Sequence, residues 1–108
     1  MADADCPFFE QGQRLRWFRL ALGIPTAQAF ARLLDWPQSA MSQFETGRRM
    51  MQAEPALELR RRFVGFDPVW LWEGDERGLS WDLRERINAV REAEAEAEKK
   101  RRLAGYKR

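Results

Sequence analysis

The twenty residues from Ala27 to Thr46 constrain the fold more than any other part of the chain. Two short helices that cross at a steep angle need a particular order of residue types. The fourth and eighth positions face a core, and the fifth must be small because the helices approach there. The ninth makes the turn, and the tenth, fifteenth and eighteenth are buried again. Here Phe30, Leu34, Ala31, Asp35, Trp36, Met41 and Phe44 fill those places in turn. Aspartate is one of the few residues besides glycine that accepts the left-handed backbone of a tight turn. The pattern predicts a helix-turn-helix, with one helix after Thr26, a good N-cap, to Leu34 and the next from Pro37 to about Glu45.

The flanking sequence predicts helices around that pair. Leu15, Phe18, Ala21 and Leu22 make an apolar stripe on a first helix from Glu10 to Leu22, stopped by Gly23. A fourth helix is expected over Ala53 to Val64, ended by Gly65. A short fifth is expected from Asp67-Pro68 to Gly74, carrying Val69, Trp70, Leu71 and Trp72. After a polar link over 75–79, Ser80 is placed to cap a last helix reaching about Leu103. Its first half carries Trp81, Leu83, Ile87 and Val90, and its second half is alanine and charge. Glu96–Lys100 and Glu98–Arg102 are favourable pairs on that second half. The expected organisation is a disordered tail over 1–9, an all-α domain over 10–79, and a charged C-terminal helix and tail over 80–108.

What the chain lacks narrows the chemistry. With no histidine, neither a serine–histidine nor a cysteine–histidine nucleophile pair can be built, and no zinc site can use imidazole. Cys6, the one cysteine, cannot form a disulfide within the chain and reads as an ordinary thiol. There is no glycine-rich nucleotide loop, so the expectation is a non-enzyme without metal, cofactor or small-molecule substrate. No signal peptide and no membrane-length apolar run are visible, which points to the cytoplasm. Net charge is only +2; residues 10–79 hold ten Lys/Arg against nine Asp/Glu. Charge alone therefore does not announce a nucleic-acid partner.

Three ordered motifs carry a resemblance. Helix 1 reads Arg14-Leu-Arg-Trp-Phe-Arg-Leu-Ala-Leu-Gly23. The second helix of the pair and its exit read Gln38-Ser-Ala-Met-Ser-Gln-Phe-Glu-Thr-Gly-Arg-Arg49. The closing helix reads Asp67-Pro-Val-Trp-Leu-Trp-Glu-Gly-Asp75. From about Gly12 to Asp75 the chain resembles the Cro and phage-repressor (XRE-type) helix-turn-helix family. That resemblance implies a five-helix, lambda-repressor-like domain with one additional helix here, and a transcriptional regulator that binds double-stranded operator DNA as a dimer. It places Gln38, Ser39, Ser42 and Gln43 where base edges are read. A glutamine amide can meet adenine N7 and N6 together. It places Gln28, Thr46, Arg48 and Arg49 near the phosphate backbone. Arg19 and Glu45 match a structural ion pair between helix 1 and the end of helix 3. Ala27 stands where the family often carries a glutamine that clamps phosphate, Asp35 puts an acid at the turn, and Pro37 replaces a polar residue.

Other readings stay open beside these. Trp36, Trp70 and Trp72 fall on core positions, whereas Trp17 could cover part of a dimer interface. Arg60-Arg61-Arg62 reads as a solvated helix face. The last helix has three roles open to it. It could dimerise through Trp81, Leu83, Ile87 and Val90. It could pack back on the domain through those residues. Or its basic end, Lys99 to Arg102 with Lys107 and Arg108, could touch phosphates. For the chain as a whole, the alternative to a DNA-binding repressor or activator is a protein-interaction module, such as an antitoxin or a phage-encoded modulator of a host protein.

Overall fold

In a computed structural model that describes residues 5–106, the periodic segments form helices α1 (Phe9–Ala21), α2 (Ala27–Leu34), α3 (Gln38–Thr46), α4 (Ala53–Arg62), α5 (Pro68–Glu73) and α6 (Trp81–Tyr106). One 3-10 turn, Glu76–Gly78, lies between α5 and α6, and no strand occurs among the described residues. Among the described residues the fold is all-helical, and no helix there is long and apolar enough to cross a membrane. Lys107 and Arg108, which figured in the expectations above, lie outside the described residues, as do residues 1–4 of the expected tail.

The helix ends follow from local chemistry. Thr26 caps α2 by accepting the Ala29 N–H at 3.0 Å, and Asp67 caps α5 by accepting that of Val69. Ser80 caps α6 as expected, its hydroxyl accepting the Leu83 N–H at 3.2 Å. Asp35 ends α2 at φ 58°, and Trp36 N–H then closes the turn on the Ala31 carbonyl at 2.9 Å. Pro37 is the cap of α3 and not its first helical residue: its ψ of 136° is extended, so the helix begins at Gln38. Helix α4 stops at Arg62, short of Val64, because the backbone turns extended at Phe63 and sends that ring inward.

That ring joins the centre of the core. Phe18 lies 5.5 Å from Phe63, 4.6 Å from Phe66 and 6.1 Å from Phe30, centroid to centroid, so one α1 residue touches rings from α2 and from the turn between α4 and α5. Edge-on and tilted packing of this kind adds to simple burial. Leu15, Leu34, Met41, Phe44, Met51, Leu59, Trp70 and Leu71 complete the same cluster. Ala31 is buried where α2 meets α3, as its small size predicts. The indoles of Trp36 and Trp72 are structural. Trp36 Nε1 donates to Glu58 at 3.2 Å and Trp72 Nε1 to the Met51 carbonyl at 2.7 Å.

Two boundaries differ from the expectation. The tail does not extend to residue 9, because the Phe8 N–H donates to the Gly47 carbonyl at 2.8 Å and Phe9 opens α1. Nor does the folded unit stop at residue 79. Leu79, Leu83 and Ile87 are buried in the same core as α1 to α5. The seam of Leu83 and Ile87, considered above for dimerisation, is thus consumed within the chain. Val90 is half-buried, and only Trp81 of that set faces outward.

Farther along α6 the docking turns polar. Glu94 takes both guanidinium nitrogens of Arg16, at 2.5 and 2.8 Å, and the Trp17 Nε1–H at 2.9 Å. Arg91 lies over the Trp17 ring at 4.7 Å. Trp17 is therefore covered by the protein's own last helix. Past this latch, Glu98 pairs with Arg101 and Arg102, and α6 runs on to Tyr106, beyond the expected end at Leu103. The hydrogen bonds from Arg16, its largest influence, hold the Glu94 carboxyl below its ordinary range. A carboxylate with a lowered folded-state pKa stabilises above its unfolded pKa and loses that contribution as pH falls through the folded value. The stability difference between the wild type and Glu94→Gln should therefore shrink as pH drops below the ordinary carboxylate range, with Trp17 fluorescence converging over the same interval. An equal difference at neutral and strongly acidic pH would show that the latch contributes nothing through its charge.

Candidate functional site

Helix α3 has two faces of opposite chemistry. Met41 and Phe44 point into the core, and Gln38, Ser39, Ser42 and Gln43 are all exposed. Spacings of one, three and four residues put these four polar side chains on one side of the helix. They form a row of amide and hydroxyl groups that can both donate and accept hydrogen bonds, set on a rigid support.

The support reaches α3 from several directions. Glu45 receives the Arg19 Nε–H at 2.8 Å, and both side chains are only 8% exposed. Arg19 also donates to the Ile24 carbonyl at 2.9 Å, so one guanidinium holds α1, the turn after it, and α3 together. Gly12 lets the two backbones meet, since a Cβ there would lie 2.5 Å from the Glu45 carbonyl oxygen. From the other side, Trp36 packs its ring edge-on against Phe44 at 6.1 Å. Gly47 ends the helix at φ 85°, a backbone that side chains rarely adopt, and is itself pressed against Phe9. Every link fixes the polar row without occupying it.

The exit loop supplies cations. Arg48 and Arg49 are exposed, and their backbone N–H groups both donate to the Gln43 carbonyl, at 3.1 and 3.3 Å. Arg49 stacks its guanidinium over Phe44 at 5.2 Å, which limits where that charge can sit. The Arg48 guanidinium has no ion pair among the described residues. Gln28 is exposed on the first turn of α2. Thr46 is exposed too, but its hydroxyl donates back to the Ser42 carbonyl at 2.9 Å. It can therefore offer an outside group only its lone pairs.

The ion pair also alters the local charge balance. Between residues 26 and 50 the charged side chains are Arg32, Asp35, Glu45, Arg48 and Arg49. With Glu45 buried against Arg19, the exposed remainder is three arginines and one aspartate. In a domain that is near neutral by count, the exposed side chains of this stretch thus carry a net positive charge. Sequence reasoning assigned no role to Arg32, although its exposure on α2 adds to that charge.

Elsewhere, a cleft of about 860 Å³ runs between α1 and α6, lined by Arg16, Trp17, Arg91 and Glu94. These groups already satisfy one another through the latch, so the cleft offers little unused recognition chemistry. Among the described residues no three of His, Cys, Asp or Glu come together as metal ligands would. Compared with protein-family models, with curated proteins and with solved structures, the chain matches none of them.

Proposed function

We propose that α2 and α3 are the helix-turn-helix of a lambda-repressor-like domain, and that the chain is a cytoplasmic regulator of transcription that binds double-stranded DNA sequence-specifically. In this reading α3 enters the major groove, and Gln38, Ser39, Ser42 and Gln43 meet base edges. Gln28, Arg48 and Arg49 hold phosphates, with Arg32 adding to the positive field and Thr46 accepting only from donors. The chain acts as a dimer on two related half-sites and uses no cofactor and no catalytic group. The observation that carries the reading is the exposed polar row on a helix whose opposite face is locked by the core and by Arg19–Glu45. The resemblance of the three motifs supports it, as does the excess of exposed arginine around α3.

Selection from random duplexes at moderate salt tests it. An enriched motif is expected. Against that motif, Gln43→Ala should cost about 1–3 kcal/mol and relax preference at one base position. Arg48→Ala should instead weaken all sequences alike and lower the salt slope by about one. If Gln43→Ala keeps both affinity and base preference, the readout assignment is wrong.

Two observations favour a second reading, a protein-interaction module of the antitoxin or host-modulator kind. The first position of the pair is Ala27, half-buried and without a polar group, and Pro37 removes a backbone donor beside α3. No enriched motif, together with a tight protein partner, would decide for that reading.

A further inference from the structure

The buried Leu83 and Ile87 leave the dimer of the proposed function without the seam considered for it, and another surface has the required character. The Ser80 N–H donates to the Gly65 carbonyl at 3.0 Å, joining the turn after α4 to the start of α6. The residues beside this bond are Val64, 97% exposed, and Trp81, 71% exposed. An indole and a β-branched side chain thus stand in water on the residues flanking this bond, in a molecule whose other tryptophans are buried or half-buried.

The unpaired charges on the two helices joined here differ in sign. On the α4 edge Arg60 and Arg61 are exposed and have no acid partner among the described residues. On the α6 edge Glu85, one turn after Trp81, is exposed and has no basic partner among the described residues. Its neighbour Asp82 is held by Arg86 at 3.2 Å, and Arg84 is half-buried. A two-fold contact presents the same patch twice in opposite directions, so each edge meets the other edge of its copy.

We infer that Val64 and Trp81 form the centre of a two-fold contact with a second copy of this chain, in which Arg60 and Arg61 of each copy face Glu85 of the other. This deepens the dimeric part of the proposed function and rests on no DNA contact. Full burial of an indole covers on the order of 150–250 Å². That is well below the roughly 800 Å² per partner of a standard stable interface. The contact is therefore weak in free solution and gains effect when two copies are held side by side.

Sedimentation equilibrium of the full chain, without DNA, from micromolar to near-millimolar concentration tests the inference. The wild type should show reversible monomer–dimer exchange, and Trp81→Asp should stay monomeric with an unchanged helical circular dichroism spectrum. Val64→Glu, at an almost fully exposed position, is the second variant should Trp81→Asp fold poorly, and it too should abolish the dimer. Glu85→Arg and Arg61→Glu should each weaken the dimer by about five- to tenfold, by turning attraction into repulsion, and the two together should restore it. A wild type that is monomeric throughout overturns the inference. So does a dimer that survives both Trp81→Asp and Val64→Glu, or one lost only when the chain is cut after Glu94. Failure of duplex selection would overturn the DNA-binding reading and leave this result standing. A monomer that still selects a motif would do the reverse.

Discussion

Arg19→Ala should lower the stability of the protein by about 3–5 kcal/mol, the range for a buried pair broken on one side. The loss has little to do with the strength of the pair itself. It comes from leaving Glu45, whose side chain is 8% exposed, without its partner, and the Ile24 carbonyl without its donor. For a chain of this size the melting temperature should fall by about 15–30 °C. The control is the double replacement Arg19→Met with Glu45→Leu, which removes both charges and should recover much of the loss. If Arg19→Ala melts within a few degrees of the wild type, the pair is not a structural element of α3. Because the pair also removes Glu45 from the charge balance around α3, the proposed DNA-binding function requires that its rupture weaken duplex binding even in the fraction that remains folded.

Phe18→Ala should cost a similar amount, about 3–5 kcal/mol, for a different reason. Phe18 is fully buried and touches Phe30, Phe63 and Phe66, so its removal opens a cavity where α1, α2 and the turn between α4 and α5 converge. Three large rings, one on α2 and two on the α4–α5 turn, cannot all relax into that space. Urea unfolding should show a lower midpoint with little change in slope, since the surface exposed on unfolding is nearly the same. A loss under about 1 kcal/mol would mean that the ring cluster collapses around the gap. Phe18→Leu, which fills most of the volume, should retain more stability than Phe18→Ala.

What could be read from sequence divides by the range of the interaction. The short-range signals around α2 and α3 were sufficient. Phe30, Ala31, Leu34, Met41 and Phe44 are buried where their spacing put them, and Asp35 takes the left-handed turn. Thr26, Asp67 and Ser80 cap the helices expected of them, because a cap is decided within three residues. Met51 and Phe66 escaped notice because they reach the core from loops, where no periodicity marks them. The fate of α6 was open for a related reason. An apolar stripe tells that a helix will be covered, but not by what. Glu94 looks like one glutamate among several in an alternating run until the fold sets it against Arg16 and Trp17. The net positive charge of the exposed side chains around α3 was hidden in the same way, since a residue count cannot tell a buried, paired Glu45 from a solvated one.

The burial of Leu83 and Ile87 beside α1 also bears on how the chain comes to be folded as it is made. Synthesis proceeds from the N-terminus, and α1 to α5 are complete before either residue has been added. Until they arrive, the side of α1 that α6 will cover is exposed to solvent, with Trp17 among the residues left uncovered. The early chain is thus a partly assembled helical cluster with an open apolar flank. Closure waits for a segment that comes last, and a protein halted near residue 79 during translation would be a target for chaperones or proteases.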